Sequence, residues 1–312
     1  MKWPDGKRFA FTIFDDTDRT TMSNGPEMYR FLHDLGMRTT KSVWPLQGAE
    51  RPKIGGMTCA DEPYREWVQA LQAQGFEIAL HNATFHTSAR AQALAGLEEF
   101  RRLFGAYPRI HVNHADCRDA VYWGSARVSG LNRLAYDVVT RYSMRDRAGG
   151  STESSPYFWG DRCKEHVEYV RNFVYTGINT LKYCPMMPYH DPRLPYVNHW
   201  FASSDGGNGK RFMRTIGEAN QESLVEEGGA CIMYTHFGFS DFFENGKLHP
   251  RFVKLMTDLA ARGGWFVPVS ELLDHLRVVR APHGFDVISR RDRDRIERRW
   301  LLEKVFVSRG TS

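Results

Sequence analysis

The chain has 312 residues, of which 42% are hydrophobic and 25% are charged, and these values are ordinary for a globular protein. Its formal net charge of +5 is modest, and the arginine-rich stretch near the C-terminus contains interleaved acidic residues, which argues against nucleic-acid binding. The five scattered cysteines, the lack of a signal-peptide core and the lack of an apolar run of roughly 20 residues predict a cytoplasmic protein without disulfides or membrane contact.

The first third of the chain alternates short apolar segments with longer amphipathic ones. The short segments predict strands over residues 9–14, 39–44, 76–80 and 109–113. The amphipathic segments predict helices over residues 26–35, 62–74 and 88–104. Gly36, Gly75 and Gly105 follow these helices, as expected for glycine at helix C-termini.

The middle of the chain is less regular, and the alternation returns after it. Helices are predicted over residues 130–142 and 165–174, and strands over 180–184 and 200–204. The remaining elements are a helix over 216–227, a strand over 230–235, a helix over 251–261, a strand over 265–268 and a helix from Ser270. This order predicts a parallel sheet flanked by helices, either open or closed into a barrel.

No GxGxxG or GxxxxGK[ST] motif accompanies the first strand, so the nucleotide-binding forms of an open sheet are disfavoured. No internal repeat or linker divides the chain. We therefore expect one domain over residues 1–281, followed by a charged and helical extension over residues 282–312.

Acidic, amide and imidazole side chains follow several of the predicted strands. In parallel α/β folds the ligand site lies at the carboxyl ends of the strands, so these residues are expected to converge on one face. They are Asp15, Asp16 and Asp18 after the first strand, His81 and His86 after the third, Asn113, His114 and Asp116 after the fourth, Asp205 near the strand ending at Ser204, and His236 after Thr235.

Carboxylate and imidazole ligands from separate strands are what a catalytic zinc-type site needs, since three protein ligands leave a position for water or substrate. Asp16, His81 and His86 can supply that set, and a neighbouring carboxylate can accept a proton from the water. Each residue also has a structural explanation, because an Asp-Asp pair can form a turn and His236 can be a core histidine. Residues five apart on a helix point about 140° apart, so residues 81–86 must form a loop if both histidines reach one metal.

Three segments resemble motifs of the NodB-like polysaccharide deacetylases, which are metal-dependent carbohydrate esterases and amidases. FTIFDD at residues 11–16 is similar to the T-F-D-D motif, and GFEIALH at residues 75–81 is similar to the G-x-E-I-x-x-H entry to the second motif. YTH at residues 234–236 stands where the family has L-x-H. The resemblance spans residues 8–275 and implies an α/β fold, a distorted and TIM-barrel-like (β/α)7 barrel.

The resemblance also implies roles for the site residues. Asp15 would be the catalytic base, and His236 the general acid. Asp16, His81 and His86 would bind one divalent metal ion, most simply Zn²⁺.

The chain departs from the family pattern at several points. The two histidines of the second motif are five apart instead of four, and Asn82 replaces Ser or Thr. No R-x-P-Y-G follows the fourth strand, so the arginine that orients the catalytic Asp is unassigned, with Arg109 and Arg118 as candidates. Asp205 is the remnant of a D-x-x-D-W motif.

The residues and the resemblance together predict a metal-dependent deacetylase, a hydrolase of C–N bonds other than peptide bonds, that acts on an acetylated sugar or related small molecule. Asn113, His114, Trp44 and Asp205 are the predicted substrate contacts. A cyclic amide or ureide hydrolase on the same barrel and a catalytically idle sugar-binding protein are the alternatives. The chain is also compatible with a homo-oligomer.

Overall fold

The fold is a closed barrel of seven parallel strands, seen in a computed structural model that describes residues 2–49, 53–284 and 286–308. The strands lie in chain order around the barrel, and the last closes on the first. They are β1 (Ala10–Asp15), β2 (Thr40–Val43), β3 (Glu77–Leu80), β4 (Ile110–His111), β5 (Tyr169–Tyr175), β6 (His199–Asp205) and β7 (Ala230–Thr235). The predicted (β/α)7 barrel is confirmed.

Helices surround the barrel. They are α1 (Gly25–Asp34), α2 (Glu62–Ala73), α3 (Arg90–Phe104), α4 (Gly130–Val139), α5 (Gly160–His166), α6 (Thr180–Tyr183), α7 (Gly209–Thr215), α8 (Glu218–Glu226), α9 (Pro250–Ala261), α10 (Val269–Arg280) and α11 (Arg290–Glu303). A small antiparallel pair, β8 (Phe243–Glu244) and β9 (Lys247–Leu248), precedes α9. None of the helices in the described ranges combines the length and the apolar character required to cross a bilayer.

The pairing of β1 with β7 defines the seam of the barrel, and all six residues of each strand are in register and buried. Strands covered on both faces are expected to be apolar nearly throughout, as both sequences are. In β1, Phe11 packs outward against Phe266, and Phe14 packs inward near Phe201 of β6. Side chains of β1 therefore alternate between the helix layer and the barrel interior.

Two predicted elements in the middle of the chain were wrong. Residues 165–174 were predicted to be helical, but α5 ends at His166 and most of the segment belongs to β5, where β-branched and aromatic residues favour a strand. Residues 180–184 were predicted to be a strand but form α6, whose N-terminus is capped by the Asn179 side chain. In the predicted strand over 265–268, Trp265 makes an isolated bridge to Ala10.

The charged extension contains α11, which packs against β5 and α4. The ring of Trp300 lies 5.1 Å from that of Phe173 in β5 and 5.4 Å from that of Tyr136 in α4. The Tyr175 hydroxyl donates to the Ile296 carbonyl. Residues 304–308 continue as a π-helical turn, and residues 285 and 309–312 of the predicted extension lie outside the described residues.

Candidate metal centre

The end of β1 separates two adjacent carboxylates. Asp15 pairs in register with Lys41 of β2, and the Asp16 amide continues the ladder by donating to the Thr235 carbonyl at 2.8 Å. Because successive side chains on an extended backbone point to opposite faces, one carboxylate must leave the barrel and the other must enter it. Asp15 points to the helix layer, where it meets Tyr29 of α1, and Asp16 points inward.

Asp15 is fully enclosed by protein groups and is 0% exposed. One carboxylate oxygen accepts from the Tyr29 hydroxyl and lies 3.0 Å from the Lys41 ammonium. The other accepts from the Phe237 amide at 2.8 Å. The prediction that Asp15 faces the site is therefore corrected, because its carboxylate ties β1, β2 and α1 together on the outside of the barrel.

Asp16 forms a two-pronged ion pair with Arg171 of β5. Arg171 Nη1 and Nη2 donate to the two carboxylate oxygens at 2.9 and 2.6 Å, and both side chains are buried. Burial alone would raise the pKa of Asp16, but the charges of Arg171 and His81 outweigh it and hold that pKa below its ordinary value. Asp16 is therefore ionised at neutral pH and fixed in orientation.

Asp18, three residues beyond the end of β1, is shared by three imidazoles from three other strand ends. Its oxygens lie 2.9 Å from Nε2 of His114, 3.0 Å from Nε2 of His236 and 3.6 Å from Nε2 of His81. Burial acts to raise the pKa of Asp18, but the three histidine contacts lower it well below the ordinary value. The cluster is therefore built around one ionised carboxylate.

The second ring nitrogen of each histidine is held by the surrounding protein. His81 Nδ1 lies 3.2 Å from the Val112 carbonyl, His114 Nδ1 lies 3.4 Å from Cys117 Sγ, and His236 Nδ1 lies 2.7 Å from the Gly207 carbonyl. A carbonyl only accepts, so in His81 and His236 the Nδ1 carries the proton. Outer partners of this kind fix ring orientation in metal sites and leave Nε2 free to bind the ion.

Two groups of side chains in the described part of the chain have the geometry to hold a metal ion. The first is Asp18, His81 and His114, and the second is Asp16, Asp18 and His236; in each group the ligand atoms lie within 4.8 Å of one another. In the first group, His81 Nε2 is buried and has no hydrogen-bond partner. Ligands of a tetrahedral zinc ion lie about 3.3–3.6 Å apart, so the 3.6 Å between His81 and Asp18 suits two ligands better than a hydrogen bond.

The first group fits a divalent metal better than the second does. In the second group both oxygens of Asp16 already accept from Arg171, and the cation beside them disfavours another positive ion. The first group offers two imidazoles and one carboxylate, a donor set that suits zinc.

His86 lies outside both groups, which corrects its predicted grouping with Asp16 and His81. Its Nε2 accepts from the Ala49 amide at 3.0 Å, and its Nδ1 lies 2.9 Å from the Thr87 carbonyl, so both ring nitrogens are occupied. The chain turns away at Asn82, which has a positive φ of 57°. The Asn82 side chain accepts from the His114 amide at 3.2 Å and so helps to place the histidine that takes this position.

The predicted substrate contacts are distributed differently. His114 belongs to the first metal group. Trp44 is 0% exposed and stacks on His81 with ring centroids 5.8 Å apart, so it packs against the cluster from inside the protein. Asn113 is used internally, accepting from the Val121 amide and donating to the Val121 carbonyl. Asp205 is the last residue of β6, is buried, and lies 3.4 Å from Arg211.

Sequence reasoning missed two residues of the site. Arg171 was missed because its segment was predicted to be a helix. Two other arginines had been proposed for its role. Arg118 is exposed, and Arg109 precedes β4 and so lies at the opposite end of the barrel. Asp18 was noted after β1 but given no role. The strand-like composition of residues 169–175 was the signal that could have found Arg171.

The pKa values of His81 and His236 are shifted in opposite directions. Burial lowers the pKa of His81, and the nearby carboxylates only partly oppose it. Burial also acts to lower the pKa of His236, but its contact with Asp18 outweighs burial and raises that pKa above the ordinary value. The His236 side chain is also the most exposed of the three, at 13% against 1% for His81 and 6% for His114. The pKa shifts therefore favour the protonated form of His236 and the neutral form of His81, and the neutral form is the one that binds a metal.

No protein-family model and no curated protein matches the chain. Among solved structures, a Mycobacterium smegmatis protein assigned as a polysaccharide deacetylase is 13% identical with a TM-score of 0.49, over 90% of this chain and 94% of that one. The Puue allantoinase is 11% identical with a TM-score of 0.46, over 88% and 92%. The catalytic domain of the peptidoglycan N-acetylglucosamine deacetylase from Eubacterium rectale is 11% identical with a TM-score of 0.41, over 86% and 91%. At these values the similarities carry no conclusion about the site.

Proposed function

We propose that the chain is a metal-dependent hydrolase that removes an acyl group, most simply N-acetyl, from an amine of a sugar or related small molecule. The observation that carries the proposal is the buried carboxylate of Asp18 shared by three imidazoles, one of which, His81, has an unpartnered Nε2. A buried polar atom without a partner is costly, and a bound cation would satisfy it.

Asp18, His81 and His114 are the proposed metal ligands. A divalent ion bound there, most simply Zn²⁺, would polarise the acyl carbonyl and lower the pKa of a bound water toward about 7. The Nδ1 contacts of both histidines keep their Nε2 atoms directed at Asp18, so these rings are oriented before the ion binds.

Asp16 is the proposed general base, in place of Asp15. A carboxylate has about four lone-pair positions, and Arg171 uses two of them, so Asp16 can still accept a proton from water. Arg171 fixes the direction in which the carboxylate faces and keeps it ionised at neutral pH.

His236 is the proposed general acid. Its Nδ1 donates to the Gly207 carbonyl, and its Nε2 lies 3.0 Å from Asp18 and 3.9 Å from Asp16. The raised pKa favours the protonated ring, and Nε2 could then give its proton to the leaving amine nitrogen. The acid and the base thus lie on one side of the cluster.

The same groups would also open a cyclic amide or ureide, in which the leaving nitrogen stays tethered to the acyl carbon. The test is to strip the purified protein with a chelator, restore one equivalent of Zn²⁺, and compare acetate release from N-acetylated sugars and amines with ring opening of cyclic amides. We expect one of the two activities to return with the metal. Metal binding without either activity, together with sugar binding by calorimetry, would contradict the proposal and favour an idle binding protein.

A further inference from the structure

Arg127 is a buried arginine beside the candidate site that the proposed chemistry does not use. It ends a short turn, Gly124–Arg127, in the connection from β4 to α4, which lies at the carboxyl end of the barrel where ligands bind. Its side chain is 2% exposed, and its guanidinium carbon lies 4.0 Å from the ring of Trp123 and 4.5 Å from that of Trp300. Two indole faces therefore hold the cation in place.

The guanidinium has many more donors than acceptors around it. Nη1 donates to the Asn172 carbonyl at 3.3 Å, whereas Nε and Nη2 have no hydrogen-bond partner. No carboxylate in the described ranges lies within 4.0 Å of it. The Trp300 indole nitrogen and the Tyr136 hydroxyl, on residues whose rings pack together, are also buried and unpartnered. Two donors of the buried guanidinium, on Nε and Nη2, are therefore left without a hydrogen bond.

Other cations surround this position. Burial is the largest cause that lowers the pKa of Arg127, and Tyr136 opposes it. The charge of nearby Arg171 lowers that pKa further. Lys304, from the turn that follows α11, has its Nζ 6.0 Å from the Trp300 ring. Burial lowers the pKa of Lys304, and the charge of Arg127 lowers it further, to about 8. The charge of Asp205 acts in the opposite direction. Arg171 is paired with Asp16, so the unsatisfied donors of Arg127 itself are what favour an anionic ligand here.

We propose that Arg127 binds a carboxylate of the substrate, so that the compound hydrolysed is an N-acylated amine that also carries a carboxylate. Nε and Nη2 lie on the same edge of the guanidinium, and two parallel donors on one edge match the two oxygens of a carboxylate. The inference rests on the proposed hydrolase function for the reaction, but the binding site is defined by Arg127 and not by the metal group.

The test is calorimetry on the metal-free protein, which binds without turning over. N-acetylglycine is the carboxylate probe, and N-acetylglycine methylamide is its neutral counterpart. We expect the wild type to prefer N-acetylglycine, and Arg127→Met to lose roughly 10- to 100-fold in affinity for it, the value of a charged two-pronged hydrogen bond. Arg133→Met, which removes an exposed arginine from α4, is the matched control and should bind as the wild type does.

Further variants make the result decisive. If Arg127→Met does not fold, Arg127→Lys keeps the charge but cannot present two donors on one edge, and it should also bind the carboxylate more weakly. Unchanged affinity in the variant tested, or equal binding of the two probes by the wild type, would overturn the inference. Asp18→Asn separates the two proposals, because it should lose the metal and still bind N-acetylglycine. If N-acetylglycine binding depends on Arg127 but no substrate is hydrolysed, the carboxylate site stands and the hydrolase proposal fails.

Discussion

The two ends of the barrel both carry charged clusters, but they are built differently. At the amino end, Arg109 lies between Glu168 and Asp274, and Arg277 also pairs with Glu168. These side chains are between 31% and 44% exposed, and each carboxylate faces at least one guanidinium. At the carboxyl end, Asp18, His81 and His114 are buried, and the His236 side chain is 13% exposed.

The difference lies in how completely the groups are paired. The exposed network at the amino end is closed, and every charge in it has an opposite charge, which is the arrangement expected of a stabilising surface cluster. In the buried cluster at the carboxyl end, His81 Nε2 makes no hydrogen bond and lies 3.6 Å from the carboxylate that already contacts His114 and His236. Incomplete pairing in a buried place indicates a ligand site, because the fold alone does not satisfy it.

The largest expected effect comes from Asp18→Asn. Loss of an outer partner of a metal ligand costs 10–100-fold in metal affinity, so loss of a charged ligand should cost more than about 100-fold and abolish hydrolysis. Metal content by elemental analysis and acetate release measure this. The matched variant at the amino end is Asp274→Asn, which should keep both metal and activity, and loss of metal in that variant would break the comparison.

His236→Gln should come next. It removes the proposed acid but none of the proposed metal ligands, so turnover should fall by about 10²–10⁴-fold while the bound metal is retained. Steady-state kinetics on the metal-loaded protein tests this. Normal turnover with a poor amine leaving group, or loss of the metal, would contradict the role given to His236.

A third prediction concerns His111 in β4, which lies one layer below the cluster and donates to Asn113. Burial lowers its pKa from 6.5 to about 3, so the folded protein keeps it neutral while the unfolded chain takes up a proton below pH 6.5. Stability is therefore lost as the pH falls from 6.5 toward 3. Between pH 6.5 and 5 the free energy of unfolding should fall by about 2 kcal/mol more in the wild type than in His111→Gln, as measured by urea denaturation. Equal pH slopes would contradict this.

The smallest expected effect comes from Arg109→Met at the amino end. Its ion pairs with Glu168 and Asp274 are nearly half exposed and screened by solvent, so the free energy of unfolding should fall by no more than about 1 kcal/mol. Activity and metal content should not change. A defect in either would show that the amino-end network acts on the site and would remove the distinction between the two ends.

The barrel could be predicted because its signal is local. Short apolar runs followed by glycine-terminated amphipathic helices identify most of the strands and helices, and parallel strands must deliver their polar termini to one face. The convergence of Asp16, His81, His114 and His236 follows from that rule. None of this requires knowledge of side-chain direction.

The details of the site could not be predicted, because they depend on direction and on loop paths. Side chains of β1 alternate between the two faces of the strand, and a shift of one residue would exchange the faces. Whether Asp15 or Asp16 enters the barrel depends on this alternation, which the sequence does not reveal. The family resemblance implied that His81 and His86 share a metal, but the left-handed turn at Asn82 takes His86 to Ala49. Arg171 lies on a strand that was predicted as a helix, and even the correct strand would not have shown that its side chain crosses the barrel to pair with Asp16.

The most direct test of the metal centre is anomalous diffraction from crystals of the protein grown with Zn²⁺, recorded on both sides of the zinc absorption edge. The proposal predicts one strong peak about 2.0–2.2 Å from Asp18, His81 Nε2 and His114 Nε2. A peak coordinated by His86, or no peak at the Asp18 cluster at saturating zinc, would contradict it.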